Sequence, residues 1–310
     1  MRVLVVVNPK ATSTTKRERD VLAHALGGYA NVGAHLEIAE TDERGHAVNL
    51  AAAAMRSGTD VVVALGGDGT INEVVNGLLA DGLHPAVPAL GVVPAGSTNV
   101  FARALGLPND PIEATGALLE ALRNGTRRPV SLGRADDRYF AFATGLGFDG
   151  AIVEGVEERR SRGKRSTHVL YARVGVRAFF RTDRRHPKVH VDLPDGSTLD
   201  EVYFAIVANA DPWTYVGNRP LHPTPGAGFD VGLSVYARRR MGMSGILLSM
   251  ARMSGGRPKV GRRGAQTADD LPSLTVRSDE PLPVQIDGDY VGLREKIAFT
   301  SVPAAVSVVI

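Results

Sequence analysis

Gly66-Gly67-Asp68-Gly69-Thr70 follows the apolar run Val61-Val62-Val63-Ala64-Leu65 and continues into Ile71-Asn72-Glu73, with Val74, Val75, Leu78 and Leu79 beyond. That order reads as a buried strand, a tight glycine turn and an amphipathic helix. A glycine loop at a helix start leaves backbone N–H groups where an anion can sit, and the phosphates of a nucleotide are the obvious anion. The Lys-Ser/Thr pair of a P-loop is missing, so this is not a Walker site. Asp68 stands in the loop instead. A carboxylate beside phosphates makes sense with a metal between them or a proton to move. The bland alternative is a structural turn, since Thr70 and Glu73 also have the spacing of a capping box.

Outward from this loop, the first 125 or so residues alternate strand and helix. Arg2 to Val7 is an apolar strand ending at Asn8-Pro9. Thr15-Lys16-Arg17-Glu18 has the spacing of a helix start, with Val21, Leu22, Ala25 and Leu26 as its stripe and Gly27-Gly28 as its stop. Val32 to Ala39 reads as a strand. Ala47, Leu50, Ala51, Ala54 and Met55 form a helical stripe, and Ala89 to Val93 a further strand. The β-α-β-α series predicts a parallel sheet with helices on both faces, and ligands in such sheets bind beyond the carboxyl ends of the strands. Asn8-Pro9, Gly66–Thr70 and Pro94–Asn99 all fall there. From about Val130 the pattern changes to strands and turns: Tyr139–Ala143, Val189–Leu193, Leu199–Ala208, Val231–Tyr236 and Leu282–Ile286, with one helix near Met243 to Met253. The expected organisation is a nucleotide-binding domain over 1–129 and a β-rich, sandwich-like domain over 130–303, with a final strand at 304–310 that belongs to either. The cleft between domains is the default site.

At 310 residues the chain is long for one core, and 44% hydrophobic with 22% charged residues describes an ordinary globular protein. The absence of cysteine excludes disulfide scaffolds and thiolate chemistry and fits a reducing compartment. The start reads as a strand rather than a leader, and no stretch is apolar enough to cross a bilayer, which points to the cytoplasm or the inner membrane surface. The net charge is only +3, but it is unevenly spread. Arg159, Arg160, Arg162, Lys164 and Arg165 cluster, followed by Arg173 through Lys188, and a second basic run holds Arg238–Arg240 and Arg252 to Arg263. Apolar residues such as Val169, Leu170, Phe179 and Phe180 interleave the first set. This mixture suits transient binding to an anionic membrane surface. A solvated basic face is the plain alternative. Nucleic acid fits poorly, because aromatics are scarce and no recognition motif is present.

A second motif, Val92-Val93-Pro94-Ala95-Gly96-Ser97-Thr98-Asn99-Val100-Phe101-Ala102-Arg103, joins the first. Together with Asn8-Pro9, Gly147-Phe148-Asp149 and Gln285-Ile286-Asp287-Gly288-Asp289, it resembles the diacylglycerol kinase/sphingosine kinase-like family of lipid kinases, in its bacterial soluble branch. The Gly-Gly-Asp-Gly-Thr element alone is shared with NAD kinases and phosphofructokinase-like enzymes. The resemblance implies a phosphofructokinase-like α/β domain and a β-rich lipid-binding domain. It also implies transfer of the γ-phosphate of ATP, with magnesium, to a lipid hydroxyl, most simply diacylglycerol giving phosphatidic acid. Members often form homodimers.

Carried onto this sequence, the resemblance implies that Asn8, Pro9, Thr12 and Thr41 line the nucleotide site. Gly66, Gly67, Asp68, Gly69 and Thr70 would hold phosphates and metal, with Glu73 nearby and Gly96 and Ser97 opposite. Asp68 would be the metal ligand, Asn99 and Asp287 supporting residues, and Asp289 the general base. Asp287-Gly288 between apolar runs also reads as a plain hairpin turn, and His46 as structural. Four positions depart from the pattern: Thr12 for glycine, Val100 for aspartate, Asp289 for glutamate, and Thr224–Asp230 in place of an acid-rich magnesium-binding run, so a second metal site is not expected. Acyl chains would enter a groove beside Leu247, Leu248 and Met250. An NAD kinase and a non-catalytic lipid or nucleotide sensor are the competing readings.

Overall fold

The computed structural model describes residues 1–11, 20–22, 24, 25, 27, 28, 35–160, 170, 173–175, 177, 178, 186–256, 258, 261 and 264–310. Thr12, the helix start at Thr15–Glu18 and most of the two basic clusters, including Arg162, Lys164, Arg165, Arg257, Lys259, Arg262 and Arg263, lie outside the described residues. The chain divides into two units, Met1–Ser131 with Ala304–Ile310, and Leu132–Pro303.

The first unit is a parallel sheet. Strands β1 (Arg2–Val7), β2 (His35–Glu40), β3 (Val61–Gly66) and β4 (Ala89–Pro94) stand in the order β2-β1-β3-β4. The end of the long last strand adds beside β4, in parallel, with Val308 opposite Leu90. Neighbours are in parallel register throughout, Val3 opposite Val61 and Val61 opposite Ala89. Every residue of β3 and β4 is buried, as expected when helices cover both faces. Each fully buried Val or Leu there contributes about 1.5–3 kcal/mol. The sequence runs β1 then β2 on one side and β3 then β4 on the other, so the winding reverses between β1 and β3. That switch point is where open α/β sheets bind ligands.

The helices are α1 (His46–Arg56), α2 (Asp68–Leu78), the short α3 (Val100–Ala104) and α4 (Pro111–Asn124). Asp110 caps α4 by accepting from the N–H groups of Ile112 and Glu113, Pro111 opens its first turn, and Gly125 ends it in the left-handed conformation. Residues 20–22, 24, 25, 27 and 28 are helical, so the expected glycine stop at Gly27-Gly28 is itself part of a helix.

The second unit is mostly antiparallel strand. Strand β5 (Arg127–Ala135) enters it, followed by β6 (Arg138–Phe140), β7 (Ala143–Gly147) and helix α5 (Phe148–Arg160). The remaining elements are β8 (Val189–Asp192), β9 (Thr198–Val202), β10 (Phe204–Ala208), β11 (Thr214–Val216), β12 (Arg219–Leu221), β13 (Leu233–Arg238), α6 (Met243–Met253), β14 (Ala265–Leu271), β15 (Ser273–Ile286) and β16 (Asp289–Val309). The antiparallel path is β14-β13-β10-β7-β15, with β8 and β16 also on β15. Its core gathers Phe140, Leu146, Val191, Val207, Val235 and Phe299.

Two expected strands are each broken in two. Tyr139–Ala143 divides between β6 and β7. Leu199–Ala208 divides at Tyr203 into β9 and β10, next to Glu201, which has φ 56. The final strand at 304–310 is the end of the 21-residue β16, and Ala304 at the boundary of the two units has φ 49.

Candidate active site

In the first unit, four loops at the carboxyl ends of the strands are stitched together by backbone and side-chain hydrogen bonds. The Asn8 N–H donates to Leu65 O at 3.0 Å, Thr41 N–H to Val7 O at 2.8 Å, and Ala95 N–H to Gly66 O at 2.8 Å. The Asn8 side chain accepts from Lys10 N–H at 2.9 Å and donates through Nδ2 to Thr70 Oγ1 at 3.0 Å. Thus Asn8, Pro9, Thr41 and the Gly66–Thr70 loop lie on one rim of the sheet, and Asn8 ties the β1 loop directly to the glycine loop.

Helix α2 starts at Asp68. Its N-cap is Gly67, which offers no side chain to the first N–H groups. The expected capping box is therefore not formed: Glu73 turns away from its own helix start. Its carboxylate instead accepts from Gly45 N–H at 2.9 Å and Ala47 N–H at 3.3 Å, capping α1, whose own N-cap Gly45 has no side chain to do so. Glu73 thereby fixes Gly45 to Ala47, the start of α1, against α2. His46 accepts from Asp42 N–H through Nδ1 at 3.1 Å, which gives it a local structural task.

The Pro94–Asn99 loop meets the glycine loop at very short range. A Cβ added at Gly96 would stand 2.6 Å from the Gly67 Cα and 2.8 Å from Asn99 Oδ1, so two glycines are needed for the backbones to pass. Asn99 is 3% exposed and left-handed, with φ 50 and ψ 50. Its carboxamide accepts from Gly96 N–H at 2.8 Å and donates to Gly96 O at 3.1 Å and to Asn109 Oδ1 at 2.9 Å. Ser97 at the tip is exposed. Asp68 crosses to this second loop: its carboxylate accepts from Val100 N–H at 3.0 Å and Phe101 N–H at 3.1 Å. It thus caps α3, whose N-cap Asn99 makes no side-chain cap bond of its own. Val100, where the family pattern has an acid, contributes its N–H and buries its side chain.

In the second unit, Asp287-Gly288 is a two-residue hairpin between β15 and β16, with Ile286 opposite Asp289. Both turn residues have positive φ, 48 and 81, as a type I′ turn requires. Asp287 is buried, and its carboxylate accepts from the N–H groups of Ala141 at 2.6 Å, Phe142 at 3.0 Å and Ala143 at 3.1 Å. Asp289 opens β16 and pairs with Arg138 Nη2 at 3.1 Å, the two side chains being 19% and 29% exposed.

Behind the turn lies a polar link that sequence reasoning did not read. Gln285 donates through Nε2 to Asp149 Oδ2 at 2.9 Å and accepts from Gly288 N–H at 2.8 Å. Burial pushes the Asp149 carboxyl up to about 6, against the pull of the Gln285 bond. Glu157 on the same helix, α5, accepts from Tyr290 N–H at 3.3 Å. Desolvation, with a bond to Glu154, pushes the Tyr290 phenol up to about 12. A polar Gln285 inside an apolar strand run was the available signal, because a buried amide needs partners. Arg138 carries no comparable signal. Leu247, Leu248 and Met250, expected to line a groove, are 60%, 50% and 40% exposed.

Residues 2–135 match the family described as the diacylglycerol kinase catalytic domain. A diacylglycerol kinase of Bacillus subtilis is 37% identical over 146 residues, 47% of this chain and 46% of that protein. A protein of Chromohalobacter salexigens named probable lipid kinase YegS-like is 43% identical over 129 residues, 42% of this chain and 40% of the other. The matched stretch thus spans less than half the length of these relatives. The crystal structure of a diacylglycerol kinase from Bacillus anthracis superposes with a TM-score of 0.73 at 20% identity, covering 99% of this chain and 96% of the other. That likeness gives the fold.

Proposed function

We propose, on the premise that residues 2–135 form a diacylglycerol kinase catalytic domain, that the protein transfers the γ-phosphate of ATP to the hydroxyl of a lipid alcohol. Diacylglycerol, giving phosphatidic acid, is the first acceptor to test, and the inner face of a membrane is the proposed place of action. The observation that carries the reading is the start of α2. There a glycine loop at the sheet's switch point ends in an N-cap without a side chain, so the helix's positive end is left for an anion. Asn8, Thr41 and Thr70 set the floor of this site, and Gly96 and Ser97 its opposite wall.

Asp68 fits a magnesium ion in one respect. It is a carboxylate in the first turn of the helix that follows the glycine loop, and hard oxygen ligands of this kind suit the ion. Magnesium commonly takes one or two carboxylates and completes its shell with water and phosphate. When bound, it would supply charge neutralisation for the phosphates. Asp289 is the proposed base: it takes the hydroxyl proton as the acceptor oxygen bonds to the γ-phosphorus and the bond from that phosphorus to the bridging oxygen breaks, releasing ADP, and Arg138 keeps its carboxylate oriented. Asp287 and Gln285 hold the turn that presents it.

The test is transfer of labelled phosphate from ATP to a panel of vesicle-presented lipid alcohols by wild type and Asp289→Asn in parallel. Transfer to one lipid that disappears in the variant is the expected result. No transfer to any lipid, with ATP binding intact, would sink the kinase reading. It would favour the second reading, a nucleotide-binding sensor, which the engagement of both Asp68 oxygens in capping α3 also fits.

A further inference from the structure

Helix α6 is amphipathic in the reverse sense of an ordinary surface helix. Its inner stripe is Gly245, Ser249 and Met253. A Cβ at Gly245 would stand 2.9 Å from Arg238 Nη2, Ser249 bonds to Arg238 Nη1, and Met253 is buried and accepts at its carbonyl from His222 N–H at 3.1 Å. Arg238 itself is buried, with Nε bonded to Arg240 O at 2.9 Å. One turn round the helix, Ser244, Leu247, Leu248 and Ala251 form the outer stripe at i, i+3, i+4 and i+7, with Met250 beside it, and all five are exposed. A solvated helix face should be polar. This one presents two leucines, a methionine and an alanine, and no charge.

The sequence around it supplies the complement. From Val231 to Ala268 there is no Asp or Glu, while Arg240, Arg252 and further Lys and Arg residues fall in the same stretch; Arg239 there is already paired with Glu201 at 2.6 Å. An outward apolar face within a segment of only positive charge matches one surface, an anionic lipid bilayer, where leucine side chains enter the acyl boundary and cations meet the headgroups. A protein partner or a second copy would need acidic groups to answer this charge, and the segment itself offers none.

We infer that α6 is a membrane-docking helix, which seats the protein on anionic bilayers through Leu247, Leu248 and Met250. The choice of a bilayer as occupant rests on the lipid-kinase reading; the exposed stripe and the charge do not. In this arrangement the membrane supplies the acceptor from the layer into which the helix dips, and the basic stretch raises the encounter rate with anionic lipid.

The test is flotation of the full chain with vesicles of phosphatidylcholine alone and of phosphatidylcholine with phosphatidylglycerol, for wild type and the Leu247→Ser/Leu248→Ser variant. The folded content of both is checked by circular dichroism, and the oligomeric state by sedimentation. Wild type is expected to bind the anionic vesicles more strongly, with the preference shrinking as salt rises. The variant is expected to bind at least about tenfold more weakly while remaining folded and keeping its sedimentation coefficient. Equal binding by wild type and a folded variant, or no binding by wild type, overturns the inference. So does a variant that sediments as a smaller species, because the face would then cover a second copy. A second assay with a water-dispersed, short-chain diacylglycerol separates the two claims. Wild-type transfer there without vesicle binding leaves the kinase reading standing and removes the docking helix. Vesicle binding lost in the variant, without transfer by either protein, does the reverse.

Discussion

Gln285 joins Asp149 to the turn that carries Asp289: one end of its carboxamide donates to the Asp149 carboxylate and the other accepts from Gly288 N–H. Two elements are thereby fixed to each other through a single buried side chain, the first turn of α5 and the β15–β16 hairpin. Glu157 adds a second tie from α5 to Tyr290 N–H. The proposed base is therefore set by the hairpin's own geometry and by a helix packed behind it.

The Asp149 link has a pH signature. In the folded chain burial raises its carboxyl from 3.8 to about 6, so between those values the native state holds a proton that the unfolded state has lost. Stability from this group is therefore highest below about pH 4 and falls as pH climbs through that window, by about 3 kcal/mol once above it. Asp149→Asn keeps an oxygen for Gln285 Nε2 and carries no charge. The variant should gain on wild type as pH rises from 4 to 7, and urea unfolding at both ends of the range measures the difference. A constant difference across the range would mean that the carboxyl does not titrate there.

Asp68 has a structural task independent of any ligand, and substitution should reveal it. Asp68→Asn turns an amide NH2 toward one of the two α3 N–H groups and leaves a single acceptor. The expected loss is about 1–3 kcal/mol of stability, read by urea unfolding. Under the kinase reading turnover is abolished as well, in protein that is still folded at 25 °C. Full activity in the folded variant would remove Asp68 from the chemistry.

Much of this arrangement could be read before the fold was known, and the parts that could not share a cause. The strand–glycine loop–helix at residues 61–78, the helix over 46–56 and the helix over 243–253 follow from periodicity and punctuation, which are local. The capping roles of Glu73 and Asp68 are not local: each carboxylate serves a different helix, across 26 to 33 residues of sequence. A Thr-x-x-Glu spacing could only suggest the helix they share. Strands β15 and β16 were under-read for a related reason. Arg277-Ser278-Asp279-Glu280-Pro281 breaks the alternation within β15, where the register against β16 also shifts, and only antiparallel pairing on both sides carries the strand through. Leu247, Leu248 and Met250 of α6 are expected from the sequence beside an acyl-chain groove, and that they face outward is a tertiary fact.

The passage of the two loops past each other makes a paired test of packing. Gly96→Ala places a methyl 2.6 Å from the Gly67 Cα, a backbone atom that cannot swing aside. The variant should lose about 1–3 kcal/mol by overpacking and lose affinity for ATP in parallel. Gly116→Ala lies in the exposed middle of α4 with nothing within 4 Å of the new Cβ. It should gain about 0.5–1 kcal/mol and leave nucleotide binding unchanged. Thermal unfolding of the pair, with ATP titrated into each, separates loop geometry from a general sensitivity to added methyl groups.

Arg138 is the last residue whose role can be isolated. Its guanidinium reaches Asp289 at 3.1 Å with both side chains largely shielded, where an ion pair holds geometry better than at an open surface. Arg138→Met removes the charge and the fork while keeping an apolar stem. Under the kinase reading, loss of orientation at the proposed base should lower kcat by about tenfold to a hundredfold, with the KM for ATP unchanged because the proposed nucleotide residues belong to the other unit. Arg138→Lys restores a charge but not the planar donor geometry, so it should recover only part of that loss. A residue that merely stabilised the hairpin would behave differently: Met and Lys would then differ in unfolding midpoint, and their kcat values at a temperature where both are folded would be equal to wild type.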